Sequence, residues 1–299
     1  MERGAGIGTF AAFGEFDEAL GSAEALGVDS GATLVKLCVR DRGGARHFAT
    51  WPSPSSARVG DLVSRLDPDR IGITGCGSAE ILADIARPAA NPIEFDAWGR
   101  GANELLALSG LAKDAPYLLV SIGTGTSALR VEGSRVERVG GTALGGGTAL
   151  GLGFALTRCR SHDELAALAA RGNRANIDLL ISDIYARNTI PIAGEATAAS
   201  FGKLARALES EHGAEAVPAR REDLAAAIMV LVAENIALIA NASAKLAGVD
   251  RIVYGGSTLH DNPRIVETVR LFSTVMGFEA IVLPRSGHAG ALGAMLLAA

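Results

Sequence analysis

The sequence predicts an α/β protein of two related lobes, and three observations carry that expectation. Apolar strand segments alternate with stretches of helical spacing from Gly27 to the C-terminus, the pattern of a mixed or parallel sheet with helices packed on it. A series of strand, Gly/Thr turn, strand and strand occurs twice, from Gly27 and again from Tyr117, and such self-similarity marks two related units. The chain of 299 residues, 48% of them hydrophobic, is long enough to bury two cores.

Residues 1–26 carry Gly, Ala and scattered acids, with a short helical pattern over 16–26, and are read as an N-terminal extension. The N-terminal lobe, 27–115, opens with the end of a short strand at Val28. A tight turn over Asp29-Ser30-Gly31-Ala32-Thr33 follows, with strands at 34–40 and 47–51. Next come a helix over 55–66, a strand over 70–74, a helix over 79–85, an extended stretch at 92–95 and a helix over 96–109. The C-terminal lobe, 116–299, repeats the opening with a strand at 117–122, a turn at 123–127 and strands at 128–131 and 136–139. Helices are expected over 147–156, 162–170, 177–185, 197–208 and 222–246. A strand at 251–254, the Gly255-Gly256 turn, a helix from Asn262, a strand at 280–283 and a helix from Ala289 complete the chain. That last helix is placed to pack back on the N-terminal lobe.

Composition narrows the function. With 28 basic against 33 acidic residues and no long run of either sign, the chain has no stripe that would hold a nucleic acid. Glycines interrupt the uncharged stretch 139–157, and Glu234, Asn235, Asn241 and Lys245 interrupt the apolar helix over 224–246. No membrane span is expected, and that helix is read as core or dimer interface. The three cysteines, Cys38, Cys76 and Cys159, lack CxxC spacing, and no secretory signal opens the chain, so a reduced cytoplasmic protein is expected. The five histidines have no metal-site spacing. Cys76, between two glycines, has no supporting His and Asn and is not read as a nucleophile.

The 37 glycines are more informative by position than by number. No GxxxxGK[ST] loop is present, since Gly202-Lys203 is followed by Leu204. Gly123-x-Gly125-x-x-Ala128 follows a strand as a dinucleotide fingerprint does, but another strand follows it, and the pyrophosphate would have no helix N-terminus. A Gly/Thr turn within a hairpin instead exposes consecutive N–H groups and hydroxyls that an anion can approach without meeting a Cβ. Two such turns facing across a cleft would hold a triphosphate, with Asp29 anchoring a hydrated Mg2+ and Lys36 supplying a point charge. The plainer alternative is that Asp29 and Gly31 only make a turn and Lys36 is a solvated strand residue.

Several segments carry a family likeness. Gly27-Val-Asp-Ser-Gly-Ala-Thr-Leu-Val-Lys36 and Val120-Ser-Ile-Gly-Thr-Gly-Thr-Ser127 resemble the two phosphate motifs of the actin-like ATPase and acetate/sugar kinase superfamily. Glu94-Phe-Asp-Ala97, the glycine-rich block from Arg138 to Leu152, Ala198-Ala-Ser-Phe-Gly202 and Tyr254-Gly-Gly-Ser257 with Asn262 resemble type II pantothenate kinases in order and spacing. Ala32 stands where that family's first turn carries a second glycine.

The resemblance implies a two-lobed actin-like ATPase (ribonuclease H-like) fold with a nucleotide cleft between the lobes. It also implies ATP-dependent phosphorylation of the terminal hydroxyl of pantothenate, the first step of coenzyme A biosynthesis, by a homodimer. Glu94 would be the general base, although a carboxylate there could also simply load a helix N-terminus. Arg138 would grip the substrate carboxylate or the developing charge, or pair with Glu137 as a surface Arg does. Thr124, Gly125 and Ser127 would line the acceptor. ATP would lie on Asp29, Gly31, Thr33, Lys36 and Gly123, on Gly145, Gly146 and Gly147 at a helix start, and on Gly255 and Gly256 for adenosine. The alternatives are an amino-sugar kinase or BadF-like ATPase of the same fold, and a nucleotide- or coenzyme A-binding regulator without catalysis.

Overall fold

A computed structural model describes residues 20–111, 115–185, 196–208 and 219–298. Its first sheet holds β1 (Ala23–Ser30), β2 (Leu34–Asp41), β3 (Arg46–Pro52) and β4 (Arg70–Thr74) in the order β3-β2-β1-β4, with β4 parallel to β1 and the others antiparallel. The second holds β5 (Tyr117–Ile122), β6 (Thr126–Glu132), β7 (Arg135–Thr142) and two later strands in a matching arrangement. Because β8 (Leu179–Leu180) and β9 (Thr197–Ala199) pair only with each other, the second sheet is completed by β10 (Arg251–Gly255) and β11 (Glu279–Val282), in the order β11-β10-β5-β6-β7. A parallel bridge between Gly72 and Ala90 adds to the first sheet the stub of a strand at the position β11 holds in the second. Both sheets are thus a three-stranded meander extended by parallel pairing at its first strand, which is the repetition read from the two turn-bearing segments.

Burial explains why these segments are strands. Along β5, Leu118, Val120 and Ile122 enter a core with α4 (Gly146–Thr157), α5 (His162–Ala170), α7 (Arg221–Ala247) and α8 (Pro263–Val275). Tyr117 and Leu119 enter a different core with α3 (Glu94–Leu108) and α9 (Ala289–Leu297). A strand covered on both faces reads as a continuous apolar run, as this one does. The outer face of the first sheet is closed by α1 (Ser56–Leu66) and α2 (Ser78–Asp84). Helices α3 and α9 form an inner layer between the two sheets, since their core also takes Ala25, Cys38 and Phe48 from the first sheet.

Helices α3 and α9 cross at backbone distance. A Cβ added to Gly293 would lie 1.7 Å from the Ala97 carbonyl oxygen, and one added to Gly101 would lie 1.8 Å from that of Ala289. Only glycine at both positions lets the helices approach this closely.

Three sequence expectations need correction. The first strand begins at Ala23, four residues before Gly27, so the helical pattern over 16–26 is strand at its C-terminal end, and its residues 16–19 lie outside the described ones. The pattern misleads because Ala23, Leu26 and Val28 are buried against the sheet's outer helices. The helix expected over 177–185 is replaced by 3-10 turns at Arg174–Asn176 and Ile181–Asp183 around β8. The helix expected over 197–208 begins only at α6 (Gly202–Leu208). Buried polar bonds override local propensity here. Asp178 accepts from the Phe201 N–H at 2.9 Å, Arg174 donates to Thr197 Oγ1 at 2.7 Å, and Thr197 Oγ1 donates to Glu234 Oε2 at 2.5 Å. Burial pushes the Asp178 and Glu234 carboxyls upward. Helix α7 is long and apolar enough to cross a membrane, but 78% of its most apolar window is buried within the protein.

Candidate functional site

The site grows from one row of the first sheet. Register places Asp29 opposite Lys36, Lys36 opposite Thr50, and Asp29 opposite Thr74, so the four share a face. Lys36 Nζ lies 3.6 Å from Asp29 Oδ2, and that oxygen is buried with no hydrogen-bond partner. A Cβ at Gly290 would lie 2.6 Å from the same oxygen and 3.0 Å from Trp98 Nε1, so α9 presents bare backbone to the carboxylate. A desolvated carboxylate oxygen on a cleft wall, without a donor of its own, suits a hard divalent cation.

The two Gly/Thr turns meet. Thr33 Oγ1 of the first lies 3.0 Å from Thr124 Oγ1 of the second. The first closes through Gly31 N–H to the Leu34 carbonyl at 3.0 Å, and the second through Gly123 N–H to the Gly125 carbonyl at 2.9 Å. Ala32 is exposed and is not among the described residues with positive φ, so the turn accepts its methyl without strain.

Between the turns lies a cavity of about 390 Å³. Of the residues singled out by sequence, Asp29, Gly31, Thr33, Lys36, Glu94, Gly123, Thr124, Gly125 and Ser127 line it together. Glu94 stands in the first turn of α3, two residues earlier than the helix start expected at Asp96. It is exposed to the cleft, yet its carboxyl is raised above the usual glutamate range. Desolvation is the main cause, the Asp29 charge adds to it, and Lys36 opposes it.

Some expected contacts fall elsewhere. Gly145, Gly146 and Gly147 do not reach the cavity. The Gly146 N–H donates to the Gly123 carbonyl at 2.7 Å and the Gly147 N–H to the Thr124 carbonyl at 3.0 Å, so the start of α4 braces the second turn from behind. Gly255 packs against Ser286 and Trp98, while Gly256 lines a second cavity of about 210 Å³ with Thr50, Ser257, Arg285, Ser286 and His288. Arg138 is exposed outside the larger cavity. Its guanidinium folds over Gly141, to 2.7 Å from where a side chain would begin, and Gly141 is the register partner of cavity-lining Ser127. No ion pair with Glu137 forms, because Glu137 pairs with Arg135 at 3.5 Å.

Sequence reasoning missed Trp98, Cys76, Thr126, Thr142 and Ser257 in the larger cavity, and Thr50 and His288 in the smaller. Trp98 was findable as the residue one helical turn after Glu94, and Thr50 as the partner of Lys36 across a hairpin. His288 carried no such signal. Among the described residues no group of three or more His, Cys, Asp or Glu forms a metal cluster.

Two like sheets, a helical layer between them and facing hairpin turns at a cleft define an actin-like ATPase fold. The chain is similar in structure to component A of the (R)-2-hydroxyglutaryl-CoA dehydratase of Acidaminococcus fermentans, with a TM-score of 0.60 at 18% identity over 91% of this chain and 96% of that one. It is also similar to a ROK family glucokinase from Streptomyces griseus in complex with glucose and AMPPNP, with a TM-score of 0.55 at 15% identity over 91% and 98% of the two chains. In sequence, the Fumble family matches residues 107–297. The type II pantothenate kinase of Oceanobacillus iheyensis is 36% identical over 91% of this chain and 98% of its own length, and that of Staphylococcus epidermidis 33% over 91% and 99%. The chain belongs to the type II pantothenate kinase family.

Proposed function

We propose that this protein transfers the γ-phosphoryl group of ATP to the terminal hydroxyl of pantothenate, giving 4'-phosphopantothenate for coenzyme A synthesis. The observation that carries this reading is the meeting of the two turns, with Asp29, Lys36 and Glu94 on one cavity. The triphosphate lies against the bare backbone of Gly31 and Gly123 and on the N–H groups and hydroxyls of Thr33 and Thr124, and its adenosine extends over Gly256 toward the smaller cavity. Asp29 would hold Mg2+, which would offset phosphate charge. Lys36 adds a fixed positive charge beside the transferred group.

Glu94 accepts the hydroxyl proton as the oxygen attacks in line, and its raised carboxyl is better matched to that task than an ordinary glutamate. Thr124 and Ser127 orient the acceptor alcohol. Arg138, one strand away from Ser127, takes the pantothenate carboxylate in a bidentate grip. Arg138→Ala is expected to raise the KM for pantothenate about 10- to 100-fold, the scale of a lost charge-assisted hydrogen bond, while the KM for ATP stays within about twofold.

The reading includes a cytoplasmic homodimer. Leu231, Asn235, Leu238, Ala242 and Leu246 recur along α7 at intervals of three to four residues, with Leu238 47% and Leu246 89% exposed. A stripe of this kind on a core helix suits a second copy of the same helix. Leu238→Asp is expected to shift the mass measured by light scattering from two chains to one.

A coupled ATP-consumption assay tests the activity itself. Turnover with pantothenate, and none above background with N-acetylglucosamine or no acceptor, is expected. Turnover confined to the amino sugar would sink the reading.

A further inference from the structure

The smaller cavity is built almost wholly from residues 256–288, with one exception, Thr50 of β3 in the first sheet. The turn Arg285–His288 joins its two sides. Toward the second sheet, Ser286 Oγ accepts from the Gly256 N–H at 3.2 Å, and Gly287 packs so closely that a Cβ there would lie 3.3 Å from Ser257 Cα. Toward the first sheet, His288 Nε2 lies 3.0 Å from Thr50 Oγ1 and 3.2 Å from the Ala49 carbonyl oxygen. A carbonyl only accepts, so Nε2 carries the proton in that contact. The ring is buried and stands edge-on to Phe48, with centroids 5.3 Å apart.

Thr50 is the register partner of Lys36, and Lys36 that of Asp29. His288 therefore links the turn under Gly256 to the row that carries the phosphate-side lysine and aspartate. We infer that His288 is a positioning residue that fixes the distance between the base cavity and the phosphate row, so that one nucleotide can engage both. The inference rests on the nucleotide placement proposed above, and it assigns to His288 no contact with the reacting atoms. Burial, with Lys36 adding, pushes the imidazole down to about 3, so it stays neutral and keeps this bonding pattern through the physiological range.

The physical consequence concerns ligands that bridge the two subsites. When His288 is shortened the phosphate row keeps its own bonds and the smaller cavity loses one wall, so a ligand occupying one subsite loses less than one that spans both. A ligand that must fit both at once loses the benefit of their fixed separation. Binding of ATP, adenosine and inorganic tripolyphosphate is measured by titration calorimetry or by competition for His288→Ala, His288→Gln, Thr50→Val and the His288→Ala/Thr50→Val pair. Thermal unfolding of each variant confirms that it is folded.

His288→Ala is expected to weaken ATP at least about tenfold and by more than the product of its losses for adenosine and tripolyphosphate, with His288→Gln recovering most of the loss through its side-chain N–H. The double variant should be no weaker toward ATP than His288→Ala alone. Equal losses for ATP and both fragments would make His288 merely structural, and unchanged ATP binding would remove the link; either result overturns the inference. Because binding needs no acceptor, failure here is distinguishable from failure of pantothenate turnover.

Discussion

Glu94→Gln is expected to bind ATP as the native protein does and to lose at least about two orders of magnitude in turnover, the scale of a general base. The substitution is nearly isosteric and Glu94 is exposed to the cleft, with no hydrogen bond to a neighbouring side chain that its removal would break. Stability should therefore hold while chemistry fails. The pH profile gives a second readout. A base works only when deprotonated, and the Glu94 carboxyl is raised from the ordinary 4.5, so the acid limb of kcat/KM should lie above pH 4.5. Asp29 contributes to that elevation and Lys36 opposes it. The residual activity of Glu94→Gln should lack this limb. Full turnover in the variant, measured with saturating pantothenate and ATP, would take Glu94 out of the role.

The second large effect falls on the fold. Gly293→Ala sets a methyl 1.7 Å from the Ala97 carbonyl oxygen, a position no side-chain rotation relieves because a Cβ is fixed by its own backbone and the oxygen belongs to the other helix's backbone. Helix α9 must shift from α3, and overpacking of this kind costs about 1–3 kcal/mol or more. A fall in Tm of about 2–5 °C is expected. Activity should fall as well, because α3 carries Glu94 and Trp98 into the cavity. Gly151→Ala is the internal control. It lies on α4 with nothing within 4 Å of the added Cβ, and Ala there should be neutral or stabilising by up to about 1 kcal/mol. A Tm for Gly293→Ala equal to that of the Gly151→Ala control would contradict the packing account.

These two expectations mark what the sequence could and could not tell. The repeated turn was legible because Asp29 to Thr33 and Gly123 to Ser127 repeat in composition and in the apolar strands on either side, and both turns line one cavity. Glu94 was legible through its motif, with the start of its helix misplaced by two residues, since Ile93 caps α3 without a side-chain bond that would announce it. Of the glycines expected to lie against a nucleotide, Gly31, Gly123 and Gly125 line the cavity. Gly101 and Gly293 serve a different purpose, the crossing of two helices, and nothing local in sequence separates the two uses. Long-range polar bonds were likewise invisible. Arg174, Thr197 and Glu234 are spread over 60 residues, yet their network decides that 177–185 and 197–199 hold turns and short strands where helical spacing suggested helices. His288 depends on Thr50 across 238 positions, a pairing that only the packed inner layer reveals.

A crystal structure with a non-hydrolysable ATP analogue and pantothenate tests the central claim most directly. The γ-phosphate should lie between the Gly31–Thr33 and Gly123–Gly125 turns, with the terminal hydroxyl of pantothenate about 2.6–3.2 Å from a Glu94 carboxylate oxygen and its carboxylate on Arg138. A nucleotide bound away from the facing turns, or a hydroxyl directed away from Glu94, would contradict the account.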